Sequence, residues 1–201
     1  MTPELLSTFG AALLFTAAAA GTPGPNNMLL TASGAQFGLW RSLPFWLGIR
    51  LGGVLMLLGV AAGMGELLTR YPALHRSLQV ASALYLLYLA WRIAQVRFSQ
   101  DQSQQDQPIG VLGATAFQFV NPKIWATTLA SVSAFSLPGS QYWPSIWWLM
   151  LAWLVSGSVM NLMWIGFGVG IRRLLHSPRR QRWFAHGMGT LTAATVVLVF
   201  W

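Results

Sequence analysis

Six stretches of this chain are apolar enough to enter a bilayer: about 5–33, 43–65, 74–95, 111–135, 143–169 and 184–201. A helix needs roughly 20 predominantly apolar residues to cross ~30 Å of hydrocarbon. Two of the stretches are interrupted, the first by Thr22-Pro23-Gly24-Pro25-Asn26-Asn27 and the fourth by Asn121-Pro122-Lys123. Between the third and fourth, residues 96–110 are polar and turn-rich. They divide a single transmembrane domain, 1–201, into repeat one (about 5–95) and repeat two (about 111–201). An odd number of spans in each half forces the second half to run inverted. Pro25 and Pro122 fall 97 residues apart, each in the first span of its half. Paired interruptions in inverted repeats are the sequence mark of a transporter site. The pattern predicts an all-α membrane protein of six transmembrane helices, built as two inverted three-helix repeats with the first helix of each broken.

Composition agrees. Hydrophobic residues make up 55% of the chain, charged residues only 8%, and the mean hydropathy is +0.54. A soluble domain carries about 25% charged residues, so this chain cannot coat a water-exposed globule. That excludes an ordinary soluble enzyme, a disordered chain and a nucleic-acid module. The net charge of +8 has another source. Arg41, Arg92, Arg97, Arg172, Arg173, Arg179, Arg180 and Arg182 fall in alternate loops, whereas Arg70 and Arg76 alone face the other side. Cytoplasmic loops are enriched in Lys and Arg, which predicts both termini outside the cytosol. The charge thus reads as topology and attraction to anionic headgroups. Trp40, Trp46, Trp91, Tyr142, Trp143, Trp147, Trp148 and Trp183 sit near predicted span ends, where amphipathic rings favour the interface. The alanines at 17–20 resemble a signal-peptide cleavage site. The residues before them carry Glu4 and no Lys or Arg, against the positive start such a peptide needs, so cleavage is not expected.

The interruptions carry the chemistry. Proline lacks an N–H and clashes with the preceding turn, so Pro23, Pro25 and Pro122 are expected to orphan the carbonyls of Ala19, Gly21 and Gln118. Such backbone survives in a membrane only against protein or a watery cavity. Past each break a half-helix restarts, with Pro25 or Pro122 suited to its first position and its positive dipole end toward the site. Carboxylates bind at such ends, and orphan carbonyls accept from an ammonium, a combination suited to a zwitterion. Gly24, Asn26 and Asn27 join the first break to this candidate site. Gln118, Asn121 and Asn161 are intramembrane amides that either join it or simply link helices.

Arg50, inside the second span, and Lys123, after the second break, are cations at depth. Such charges face a cavity or a partner. The four acids, Glu4, Glu66, Asp101 and Asp106, all lie near span ends or in the loop. Snorkelling, a backbone carbonyl or an anionic ligand are the alternatives left. No mid-membrane carboxylate is available as a proton carrier. Gly48, Gly52, Gly59 and Gly63 form a face suited to close helix packing, as do Gly166 and Gly170.

On these residues the chain resembles the lysine-exporter (LysE/RhtB) family of bacterial inner-membrane amino-acid exporters. The resemblance rests on Thr22-Pro23-Gly24-Pro25-Asn26-Asn27, Gly48 and Gly52, Tyr85-Leu86-Leu87-Tyr88-Leu89-Ala90-Trp91-Arg92, and Phe119-Val120-Asn121-Pro122-Lys123. Met1-Thr2-Pro3-Glu4-Leu5-Leu6-Ser7, Phe117-Gln118-Phe119, Asn161 and Trp164 look closest to the cysteine/O-acetylserine exporter branch. The resemblance implies proton-driven efflux of small amino acids or derivatives, without ATP, from a multi-pass inner-membrane protein. Relatives carry an acid near the position of Gly53; its absence here, with Arg50 nearby, favours a neutral substrate over a cationic one. Expected partners are the amino acid and lipid, with a homodimer admitted and nucleic acid excluded. No cofactor is expected.

Two other classes compete. An intramembrane serine protease needs a Ser and His at matching depth, but Ser33 lacks the usual glycine surroundings and His186 lies at a span start. His75, His176 and His186 are scattered, against a metal site, and absent cysteine removes thiol chemistry and disulfides. A passive pore or structural subunit is disfavoured by the paired breaks. No phosphate-binding glycine loop is present.

Overall fold

The computed structural model describes residues 3–95 and 108–199, and every regular element among them is helical. The predicted polar connection at 96–110, with Arg97, Asp101 and Asp106, falls almost wholly outside the described residues. Helix α1 (Pro3–Gly21) ends just before Pro23, and α2 (Pro25–Gly59) restarts on Pro25, whose fixed φ suits a first turn. Within α2, Gly38 has φ 80 and ψ 179, a region open essentially to glycine alone. The chain folds back there. The Ser33 and Ser42 hydroxyls meet at 2.7 Å, although nine residues along a straight helix span about 13 Å. α2 is therefore a helical hairpin with arms 25–37 and 39–59.

A π-helical turn, Val60–Met64, bends at Gly63 (φ 101) into α3 (Gly65–Arg70), and α4 (Pro72–Ala94) follows. The halves of the fourth apolar stretch are α5 (Val111–Phe119) and α6 (Pro122–Phe135). α7 (Tyr142–Arg172), α8 (Pro178–Ala194) and a 3-10 turn, Thr195–Val199, complete the described chain. By length and composition, Pro25–Arg70, Pro72–Ala94 and Gly139–Arg172 suffice to cross a membrane. The first of these is doubled back at Gly38.

Two boundaries differ from hydropathy. The second stretch runs past 65 to Arg70, through the Gly63 bend. α8 starts at Pro178 rather than 184, because the Ser177 hydroxyl accepts the Arg180 N–H at 3.3 Å. Capping of this kind carries a helix through charged positions that hydropathy reads as loop.

Glycines set the closest packing. A Cβ on Gly48 or Gly52 would strike the carbonyl of Val111 or Thr115 on α5, and one on Gly34 or Gly168 would strike the α2–α7 contact at Ile165 or Thr31. The other expected glycine contacts are not made. Gly59 faces its own chain's Met64, Gly63 serves the bend, and Gly166 and Gly170 face open space.

Buried apolar residues form two clusters. One includes Met28, Ile49, Phe117 and Ile165, and the other Ala12, Met56, Ile124 and Trp153. Four segments pass from one cluster to the other: α1 to α2, the second α2 arm, α5 to α6, and α7. In every one a polar residue stands at the crossing: Asn26 and Asn27, then Arg50, then Asn121, then Asn161. The fold thus holds a thin polar layer between two apolar blocks.

Candidate functional site

At the first break, Thr22 N–H still bonds the Ala18 carbonyl at 3.0 Å, and Gly24 is fully extended. Asn27 turns back and donates its amide to the Ala20 and Thr22 carbonyls, both at 2.7 Å. The Thr22 hydroxyl donates to the Ala19 carbonyl at 2.9 Å. The expected orphan at Ala19 is therefore satisfied locally. The first backbone bond of α2 runs from Met28 N–H to the Gly24 carbonyl, which leaves the Asn26 and Asn27 N–H groups at the helix start without helical partners, as any helix N-terminus does.

At the second break, the Asn121 side chain caps α6 by accepting the Lys123 N–H at 3.1 Å. Asn121 N–H donates to the Gln118 carbonyl at 3.2 Å, so this expected orphan is also filled. The Lys123 ammonium crosses to the first break, donating to the Thr22 carbonyl at 2.8 Å, the Thr22 hydroxyl at 2.8 Å and the Pro23 carbonyl at 3.4 Å. Of the carbonyls expected to wait for a ligand's ammonium, those of Ala19 and Gln118 have donors from this chain, as do the neighbouring carbonyls of Ala20, Thr22 and Pro23.

Amides join the two breaks directly. Asn26 donates to Gln118 Oε1 at 2.8 Å, and Asn121 donates to Asn26 Oδ1 at 3.1 Å. Asn161 on α7 donates to Asn27 Oδ1 at 3.0 Å and accepts from Arg50 at 2.6 Å. A second Arg50 N–H reaches the Trp153 carbonyl at 3.2 Å. Of the alternatives open to the two cations, backbone carbonyls and a neutral amide are what hold them. Arg50 Nε is buried with no acceptor.

These groups surround a small, partly open polar cavity. Gly24, Asn26, Asn27, Arg50, Asn121, Lys123 and Asn161 line it. Gln118 is fully buried and touches the network through Asn26. Pro23 is exposed beside the break, and Pro25 and Pro122 begin the two half-helices. The structure thus brings the candidate site residues of the two breaks together with Arg50 and Asn161.

The wall has members that sequence did not mark. Thr16 and Ser156 share a 2.7 Å hydroxyl contact across α1 and α7, and both line the cavity with Thr127, Trp153 and Gly157. Hydroxyls in apolar helices usually bond their own backbone, so they carry little signal. Gly157 is the exception in hindsight. It is flanked by Ser156 and Ser158, and a Cβ there would strike the Arg50 guanidinium.

A helical chain whose broken segments meet at a polar cavity between apolar blocks has the build of a membrane transporter. Residues 17–199 match the LysE type translocator family, and the chain belongs to it. It is therefore an integral membrane transporter and not an enzyme. The cysteine/O-acetylserine efflux proteins of Escherichia coli O157:H7 and Escherichia coli strain K12 are each 34% identical over 189 residues, covering 90% of this chain and 91% of the relative. No solved structure gives a significant match.

Proposed function

We propose that this protein exports small neutral amino acids or their derivatives, of the cysteine and O-acetylserine kind, from the cytoplasm across the bacterial inner membrane, driven by the proton gradient. One observation carries the reading. The cavity at the two breaks offers amides and two cations, and no acid lies in it. A carboxylate finds Arg50 and the α2 start there, while a second net positive charge finds repulsion. That selects a zwitterion over lysine-like cargo. The efflux relatives support the same substrate class. In this reading the six apolar stretches are six spans in two inverted repeats, with both termini periplasmic. The two broken spans meet at mid-membrane and open alternately to either side.

The test is flux. Purified protein in liposomes under an imposed pH gradient should accumulate O-acetylserine or cysteine well above protein-free liposomes, and lysine should not compete. Folded protein that moves no amino acid would defeat the proposal.

A further inference from the structure

The Lys123 ammonium is met by three oxygens, one for each of its N–H donors. They belong to the Thr22 carbonyl and hydroxyl and the Pro23 carbonyl, at 2.8, 2.8 and 3.4 Å. They lie at the C-terminal end of α1, where the helix dipole favours a cation. The lysine stem lies across Gly24, where a Cβ would meet its Cδ at 2.8 Å. This is the set of acceptors that the ammonium of a zwitterionic substrate would seek, and the chain's own ammonium fills it.

Among the described residues, the cavity wall holds no other group able to exchange a proton. Arg50 and Lys123 are the ionisable side chains of the cavity wall, and arginine is not deprotonated in proteins. Around α6, helix α5, the Val60–Met64 turn and the Thr195–Val199 turn contain no ionisable residue. From α7 come Tyr142, whose hydroxyl donates to the Ala61 carbonyl at 2.7 Å, and Arg172 at its far end. From α2 come Arg41, beside Phe37, and Arg50. The ionisable residue of α1 is Glu4, near its start.

We propose that Lys123 is the proton-exchanging residue of the transporter, because its ammonium and that of the substrate compete for one set of oxygens. This rests on the amino-acid export reading. On the cytoplasmic side Lys123 gives one proton to water and leaves Thr22 and Pro23 as a neutral amine. The substrate ammonium then takes those oxygens and its carboxylate faces Arg50. On the outer side the substrate departs, one external proton adds to the Lys123 nitrogen, and the ammonium docks again. One proton enters for each amino acid that leaves, with no covalent or redox step.

The first test uses the unaltered protein. In weakly buffered detergent at about pH 7, each O-acetylserine bound should release about one proton, read with a pH dye, and affinity should rise about tenfold per pH unit. In Lys123→Met, binding should release none and be flat with pH; in liposomes it should exchange labelled O-acetylserine but not accumulate it under a pH gradient. Lys123→Arg, with a permanent cation on the oxygens, should bind weakly and release none. Wild-type binding without proton release, or gradient-driven accumulation by Lys123→Met, overturns this role for Lys123 and leaves amino-acid export standing. Folded wild-type protein that neither binds nor moves any amino acid overturns the export reading, and this inference with it.

Discussion

Arg50 gives one N–H to a carbonyl and another to an amide, while its Nε meets nothing. A buried charge with only neutral partners is costly until an anion arrives. Gly157 makes room for it, since a Cβ there would run into the guanidinium. Gly157→Ala should therefore displace Arg50, cost about 1–3 kcal/mol through overpacking and cut amino-acid flux steeply. Gly166→Ala, with open space around it, should leave flux unchanged; equal losses in both variants would argue against the pairing. Asn26 sits between Gln118 and Asn121, so Asn26→Leu should abolish export while the protein still inserts and purifies. Normal export by that variant would reduce the first break to a kink. These amides were legible in the sequence because an amide inside an apolar run either joins a site or links helices. What was not legible is where each one points. Asn27 and Lys123 bond the carbonyls of Ala20, Thr22 and Pro23, beside those that proline arithmetic leaves bare, and only the folded chain brings them within reach.

Among the elements, the α2 hairpin depends on one residue. Gly38 has φ 80 and ψ 179, and a side chain there is strained by about 1–3 kcal/mol. Gly38→Ala should lower the thermal unfolding midpoint in detergent, whereas Gly187→Ala, helical with nothing within 4 Å, should leave it unchanged or raise it. An unshifted midpoint for Gly38→Ala would mean the arms do not turn there. Hydropathy separated the two arms and found both breaks, because proline and polar residues punctuate apolar runs. It missed the α8 start, where a serine cap outweighs three arginines, and the Gly63 bend, where nothing in the local pattern departs from an apolar helix. It also gave Gly166 and Gly170 a packing role that α7 assigns to Gly168 and Gly157 instead. Spacing shows which glycines share a face but not which face meets a neighbour.

For the molecule as a whole, the arginine asymmetry predicts an orientation, and the absence of cysteine makes it easy to check. Arg70 and Arg173 are both exposed at helix ends. In intact spheroplasts a membrane-impermeant maleimide should label Arg70→Cys, and Arg173→Cys only after permeabilisation. The reverse pattern would turn the topology over. The two apolar clusters and the layer between them have a further consequence, one that concerns synthesis. Arg50 waits 111 residues for Asn161, and Asn27 waits 134. While the ribosome is still making the second half, the first half already sits in lipid with a bare guanidinium and an unanswered Asn27 side-chain oxygen. A chain truncated after Gly139 should therefore be short-lived in the cell, cleared by quality-control proteases, since its last stabilising partner has yet to be translated.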